Sequence, residues 1–204
     1  MIHAYHVIFG AYGFWLPNDP RGSWSEFVGR WELVRFGKAT KSIQRTELTL
    51  EEERLRREAK QVLKYSPVEF TGVQARAVGR GFAKAIEKSR FSLWACAILP
   101  EHVHAIVVRH HYNVEQIVGQ LKGEATKKLR REKLDPLAAH ATADTKPSPW
   151  ADHCWKVYLD NEDAIKAAIQ YVEENPIKED KPKQNWSFVT PFGGIETAGW
   201  VTYH

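Results

Sequence analysis

The chain has 204 residues, 43% of them apolar, and carries 29 basic against 25 acidic side chains for a formal charge of +4. This length supports one substantial core, the small net charge assigns no partner, and no apolar run reaches the length of a membrane span. The opening Met1-Ile2-His3-Ala4-Tyr5-His6 lacks a signal-peptide layout, and Cys96 and Cys154 show no zinc or redox spacing, so a cytoplasmic protein in a reducing compartment is expected.

In chain order, a first strand is expected near Ala4 to Phe9, followed by a long insertion over about 10–70. Within the insertion, Thr49-Leu50-Glu51-Glu52 reads as a capping box that opens a charged helix ending near Tyr65-Ser66-Pro67. A second box, Thr71-Gly72-Val73-Gln74, opens a helix to about Lys88. Phe91 to Leu99 and His102 to Val108 are apolar strands joined by Pro100-Glu101, short enough for a hairpin. Asn113-Val114-Glu115-Gln116 begins a basic helix, and a loose stretch from Asp135 to Pro149 leads to a strand near Cys154 to Leu159. A last helix follows Asp160-Asn161, with Ala164, Ile165, Ala168, Ile169 and Val172 forming one apolar stripe. The tail from 179 to 204 has no clear periodicity.

Apart from the insertion the order is β-α-β-β-α-β plus one helix, which predicts an α+β, ferredoxin-like (RRM-like) antiparallel sheet. Its helices pack on one face and leave the other free for a ligand. The domain is expected over residues 1–178, with no internal repeat.

Three patterns carry chemistry. In Pro100-Glu101-His102-Val103-His104 the histidines stand two apart in a strand, roughly 6.6 Å along the backbone and on the same face, where both could meet one divalent ion. Two satisfied histidines near a strand end would give the same pattern. Tyr171 and Asn175 are four apart in the last helix and share a face, although asparagine before Pro176 is also a natural helix stop. Between Lys122 and Lys133, Lys122, Lys127, Lys128, Arg130, Arg131 and Lys133 outnumber Glu124 and Glu132. That helix suits phosphate contacts through counterion release, or is a solvated face. His110 and His111 fall past the strand end, and His6 lies in a strand expected beside the histidine strand. Of the eight tryptophans, only Trp15, Trp24 and Trp31, clustered in the insertion, are open to a base-stacking role.

The Pro-Glu-His-Val-His run followed by a helix bearing Tyr-x-x-x-Asn-Pro resembles the single-tyrosine HUH transposases, most closely the REP-associated tyrosine transposases. The likeness spans roughly residues 72 to 178, with Tyr5-His6-Val7-Ile8 similar to the family's first strand and Trp15-Leu16-Pro17-Asn18-Asp19-Pro20-Arg21-Gly22 to the segment after it. The resemblance implies that Tyr171 attacks single-stranded or hairpin DNA to form a 5′-phosphotyrosine. It implies that His102, His104 and Asn175 hold Mg²⁺ or Mn²⁺, and that the enzyme works at the bacterial nucleoid. Lys122, Lys127, Lys128, Arg130 and Arg131 would contact DNA, and the site would be completed within one chain or across a homodimer. Two other classes compete: a non-catalytic RNA- or DNA-binding module of the same topology, and a small-molecule metal hydrolase or oxygenase. The first has no need of His102, His104 and Tyr171 together.

Overall fold

A computed structural model describes residues 1–14 and 49–195; the Trp15 to Gly22 segment, Trp24, Trp31 and the end of the tail lie outside them. The elements are β1 (Ala4–Gly10), α1 (Leu50–Gln61), α2 (Gly72–Ser89), β2 (Leu93–Ile98), β3 (His102–Val108), α3 (Val114–Arg131), β4 (Trp155–Leu159) and α4 (Glu162–Lys178), with a 3-10 turn at Ala138–His140. Two compact units emerge, one of Met1–Phe9, Phe70–Asp135 and His153–His204, the other of Gly10–Glu69 and Pro136–Asp152.

The helix starts follow from local hydrogen bonding. At α2 the Gln74 N–H donates to Thr71 Oγ1 and the Thr71 N–H donates back to the Gln74 side chain, and Asn113 and Gln116 repeat the exchange at α3. Each exchange satisfies two backbone donors that a helix start leaves without partners. Asn161 caps α4 by accepting from the Ala164 N–H, and Glu162 and Asp163 sit in its first turn, where the helix dipole favours negative charge.

In the first unit the strands form one sheet in the order β2-β3-β1-β4, with β2 antiparallel to β3 and β1 antiparallel to β4. This is the expected ferredoxin-like arrangement. Period-two alternation splits β1 and β3 cleanly. Phe9 packs on Phe82 of α2 at 6.1 Å between ring centres, and the Lys122 ammonium of α3 lies over the same phenyl ring. Helices α2 and α3 therefore cover the face that carries Phe9. They approach so closely that a Cβ on Gly81 would collide with the backbone of Ala125.

The opposite face is not left free as the topology alone predicts, because α4 lies on it, against β2, β3 and β4. Ala4, Trp94, Ala97, Ile106, Val108 and Leu159 of the sheet form one buried cluster with Ile165 and Val172 of α4. The physical reason is the apolar stripe of the helix, which matches an equally apolar sheet surface; each fully buried aliphatic side chain favours that contact by about 1.5–3 kcal/mol. Beyond α4 the chain returns along the outer edge of β2. The Gln184 carboxamide accepts from the Ile98 N–H and donates to the Ile98 carbonyl, at 2.8 and 2.7 Å, and the Thr190 N–H donates to the Leu93 carbonyl.

The second unit is small. Ala11 bridges to Trp150, the Tyr12 N–H donates to the Pro149 carbonyl, and the Val68 N–H donates to the Tyr12 carbonyl. Helix α1 ends at Gln61, short of the expected Tyr65, and the turn after it sets the Tyr65 ring against Tyr12 and His140 at 5.7 and 4.9 Å. Gly13, at φ +82°, adopts the left-handed backbone of that crossing, where an added Cβ would press on Leu63 and Pro67.

Candidate active site

His102 and His104 leave β3 on the α4 side of the sheet, both buried, with ring centres 4.9 Å apart. Strand β1 runs beside β3, and its His6 comes up on the same side, its Nε2 3.0 Å from Nδ1 of His104. From above, α4 supplies two groups one turn apart. The Asn175 side chain is buried with its amide nitrogen 3.5 Å from Nε2 of His104. The Tyr171 ring is 44% exposed and lies 5.6 Å from the ring of His104 and 5.7 Å from that of His6. A ligand can thus reach the phenol while the imidazoles stay shielded.

Asn175 does not stop the helix. Helix α4 continues through Pro176 to Lys178, so the amide is held by helical backbone and its neighbours Val172 and Pro176 are buried with it. Proline removes one backbone donor, a small loss in a helix that ends within the next turn.

Electrostatics favour the ligand form of the rings. Burial pushes His6 down to about 4, and burial, reinforced by the neighbouring His102 and His6, holds His104 well below the ordinary histidine range. At neutral pH both rings are uncharged, as metal ligation by a ring nitrogen requires.

Glu179, the residue that ends α4, places Oε1 3.8 Å from Nε2 of His102. The donor set around the histidine pair is therefore two imidazoles, one carboxamide and one carboxylate. Among the described residues no group of three or more His, Cys, Asp or Glu side chains is arranged to hold a metal ion. Nitrogen and oxygen donors of this mixture suit Mn²⁺ or Mg²⁺. The Lys178 ammonium lies 5.1 Å from the Tyr171 ring centre and is paired with the Glu174 carboxylate at 3.0 Å.

Glu179 and the contact of His6 with His104 escape a reading of the sequence. One signal for the carboxylate is present there: Tyr171, Asn175 and Glu179 are spaced i, i+4, i+8, one per turn down a single face. Nothing in the sequence marks which residue of β1 will oppose His104.

The cations of α3 are not brought to this site, since α3 packs on the other face of the sheet. They have local partners: Lys127 pairs with Glu124, Lys128 with Glu132, Arg130 with Asp135, and Lys122 donates to the His153 carbonyl. Arg131 is exposed. His110 and His111 stack on one another and on Tyr112 beyond the end of β3.

A ferredoxin-like sheet bearing a His-x-His strand under a tyrosine helix defines the single-tyrosine HUH class. The model of the family described as transposase IS200-like matches residues 61–175, a span containing His102, His104, Tyr171 and Asn175. The chain belongs to that family and is a transposase. Among solved structures it is similar to a REP-associated tyrosine transposase bound to a REP hairpin, at 19% identity and a TM-score of 0.44 over 62% of this chain and 70% of that one. It is also similar to a candidate transposase from Deinococcus radiodurans R1, at 13% identity and a TM-score of 0.43 over 86% and 91%. No curated protein matches the chain. Among the described residues, no helix is long and apolar enough to cross a membrane.

Proposed function

We propose that this transposase is a metal-dependent single-stranded DNA endonuclease and strand transferase that works through a 5′-phosphotyrosine. The observation that carries the reading is the meeting of Tyr171 with His104 and Asn175 within one chain, the phenol open to solvent and the imidazoles buried. The phenol oxygen of Tyr171 attacks the scissile phosphorus and loses its proton. The bond from phosphorus to the 3′-oxygen breaks, and that oxygen leaves protonated as a free 3′-hydroxyl. Attack of a 3′-hydroxyl on the phosphotyrosine reverses these steps, restores the phenol and joins strands. The phosphoester energy is conserved throughout, so no nucleotide is consumed.

His102, His104 and Asn175 would hold Mg²⁺ or Mn²⁺, with Glu179 beside them. When bound, such an ion screens the phosphate charge and polarises its oxygens. The chain's own contribution is position. Helix α4 carries Tyr171 and Asn175 one turn apart, so the nucleophile and one ligand are set by the same rigid element, a condition for in-line displacement. The cations of α3, on the far face, would contact flanking DNA beyond the cleaved strand. The substrate is single-stranded or hairpin DNA, and the place of action is the bacterial nucleoid.

The test uses a hairpin with a single-stranded flank, labelled at its 3′ end so that the label stays with a 5′-linked fragment. A denaturation-resistant adduct that requires Mn²⁺ or Mg²⁺, and that His102→Ala and His104→Ala abolish, is the expected result. A mobility shift without an adduct under any metal condition would instead favour the non-catalytic binding module. Metal-dependent turnover of small esters, unaffected by DNA, would favour the hydrolase.

A further inference from the structure

We propose that His6 is a positioning residue that holds His104 in the tautomer with its proton on Nδ1, leaving the Nε2 lone pair directed to the Asn175 side. The inference deepens the reading above, since it takes Nε2 of His104 as the nitrogen offered to the ion.

Two contacts taken together fix the tautomer. Nε2 of His6 and Nδ1 of His104 are 3.0 Å apart in a buried setting, a hydrogen bond in which one nitrogen must donate and the other accept. On the other edge of the same ring, the Asn175 amide nitrogen faces Nε2 of His104 at 3.5 Å. An amide NH₂ only donates, so Nε2 must present a lone pair. A neutral imidazole has one proton, which then sits on Nδ1 and is donated to His6. His6 in turn carries its own proton on Nδ1 and accepts through Nε2. Both rings are buried against one another, a setting that disfavours charge on either, so each carries a single proton.

The arrangement explains why a third buried histidine sits where an aliphatic residue would cost less. Metal-bound histidines usually donate their second nitrogen to a fixed acceptor, which orients the ring and raises its basicity, and loss of that acceptor typically costs 10–100-fold in metal affinity. Here the acceptor comes from the neighbouring strand. It also packs edge-on against Trp155 and Tyr171, at 6.2 and 5.7 Å between ring centres, so one side chain touches both the ligand ring and the nucleophile ring. His6 lies outside the span matched by the family model.

The test begins with the unaltered, metal-free protein. Long-range ¹H–¹⁵N spectra of its histidine rings are expected to show His104 protonated on Nδ1; protonation on Nε2 would overturn the proposal without any variant having to fold. His6→Phe keeps an aromatic ring but removes the acceptor, and should mix the His104 tautomers and weaken Mn²⁺ binding, measured with the metal alone, by about tenfold or more. His6→Gln restores an acceptor oxygen and should recover much of the loss. Equal Mn²⁺ affinity in all three proteins would also overturn the proposal. Adduct formation by the unaltered protein reads the broader mechanism separately. An Nε2-protonated His104 with normal adduct defeats only the role of His6, whereas an Nδ1-protonated His104 without adduct supports that role and defeats the nucleophile assignment.

Discussion

The ring of Tyr171 on α4 stands 5.6 Å from the ring of His104 on β3, centre to centre, at planes 70° apart. Only one atom of that phenol is needed for the proposed chemistry. Tyr171→Phe should therefore abolish the covalent protein–DNA adduct while changing the affinity for the same DNA by no more than about tenfold, since one hydroxyl contributes roughly 0.5–1.5 kcal/mol to other interactions. Denaturing electrophoresis of 3′-labelled DNA beside an equilibrium binding curve measures both; an adduct in the variant would move the nucleophile elsewhere.

Glu179 offers its carboxylate to the histidine pair from the end of α4. Glu179→Gln preserves size and removes charge, so it should loosen Mn²⁺ by about tenfold, in the range found for partners of metal ligands, with little change in melting temperature of the metal-free protein. Calorimetric titration with Mn²⁺ decides this. An unchanged affinity would leave the carboxylate a bystander.

Neutralising Lys127, Lys128 and Arg130 to glutamine removes three ion pairs on the face away from Tyr171, those of Lys127 and Lys128 on the surface and that of Arg130 with the largely buried Asp135 carboxylate. Each surface pair is worth about 0–1 kcal/mol and the Arg130–Asp135 pair more, so the fold should survive with some loss of stability. Adduct yield on a short single strand should be unaltered. With a long flanked hairpin the slope of log affinity against log salt should flatten, by up to about 0.9 for each phosphate that these cations had neutralised. A drop in yield on the short strand would mean that α3 reaches the cleaved phosphate after all.

The depressed His6 and His104 make the metal-free protein acid-sensitive. Their folded values lie below the ordinary 6.5, so between pH 6.5 and about 4 the unfolded chain binds more protons than the folded one. Stability is fully present above pH 6.5 and falls as the pH drops, by about 1.4 kcal/mol per pH unit for each such ring, or ~3 kcal/mol for His6 across its window. Urea titrations in chelator at pH 7 and pH 5 should show this fall, and His6→Gln should reduce it.

Gly81→Ala is the sharpest stability test. Its methyl would meet the backbone of Ala125, which no side-chain rotation can clear, so α2 and α3 must separate. A loss of about 1–3 kcal/mol or more is expected in thermal or urea unfolding. Gly123→Ala, where an added Cβ meets no atom within 4 Å, is the control and should be neutral or stabilising.

Much of the site is legible in sequence because it rests on two short periods. The two-residue repeat of a strand puts His102 and His104 on one side, and the four-residue repeat of a helix puts Tyr171 over Asn175. What those periods cannot carry is the choice of face. Charge on α3 says that Lys127 and Arg130 meet solvent, not that the sheet lies between them and Tyr171. The partner of His104 depends on the register of two strands that are almost a hundred residues apart, and register is set by tertiary packing. Helix ends are similarly ambiguous. Asn175-Pro176 carries a stop signal, yet burial of Val172 and Pro176 holds the backbone helical for another turn, which is how Glu179 reaches the histidines.

Gln184, whose carboxamide mimics one rung of a neighbouring strand against Ile98, has a consequence for how this chain behaves in a crowded cell. Strand β2 is the outermost of its sheet, and an unmasked rim of N–H and C=O groups is a template on which a second polypeptide can lay itself down. With Thr190 holding Leu93 at the other end, the returning chain occupies the rim on which fibrils or swapped dimers would otherwise nucleate.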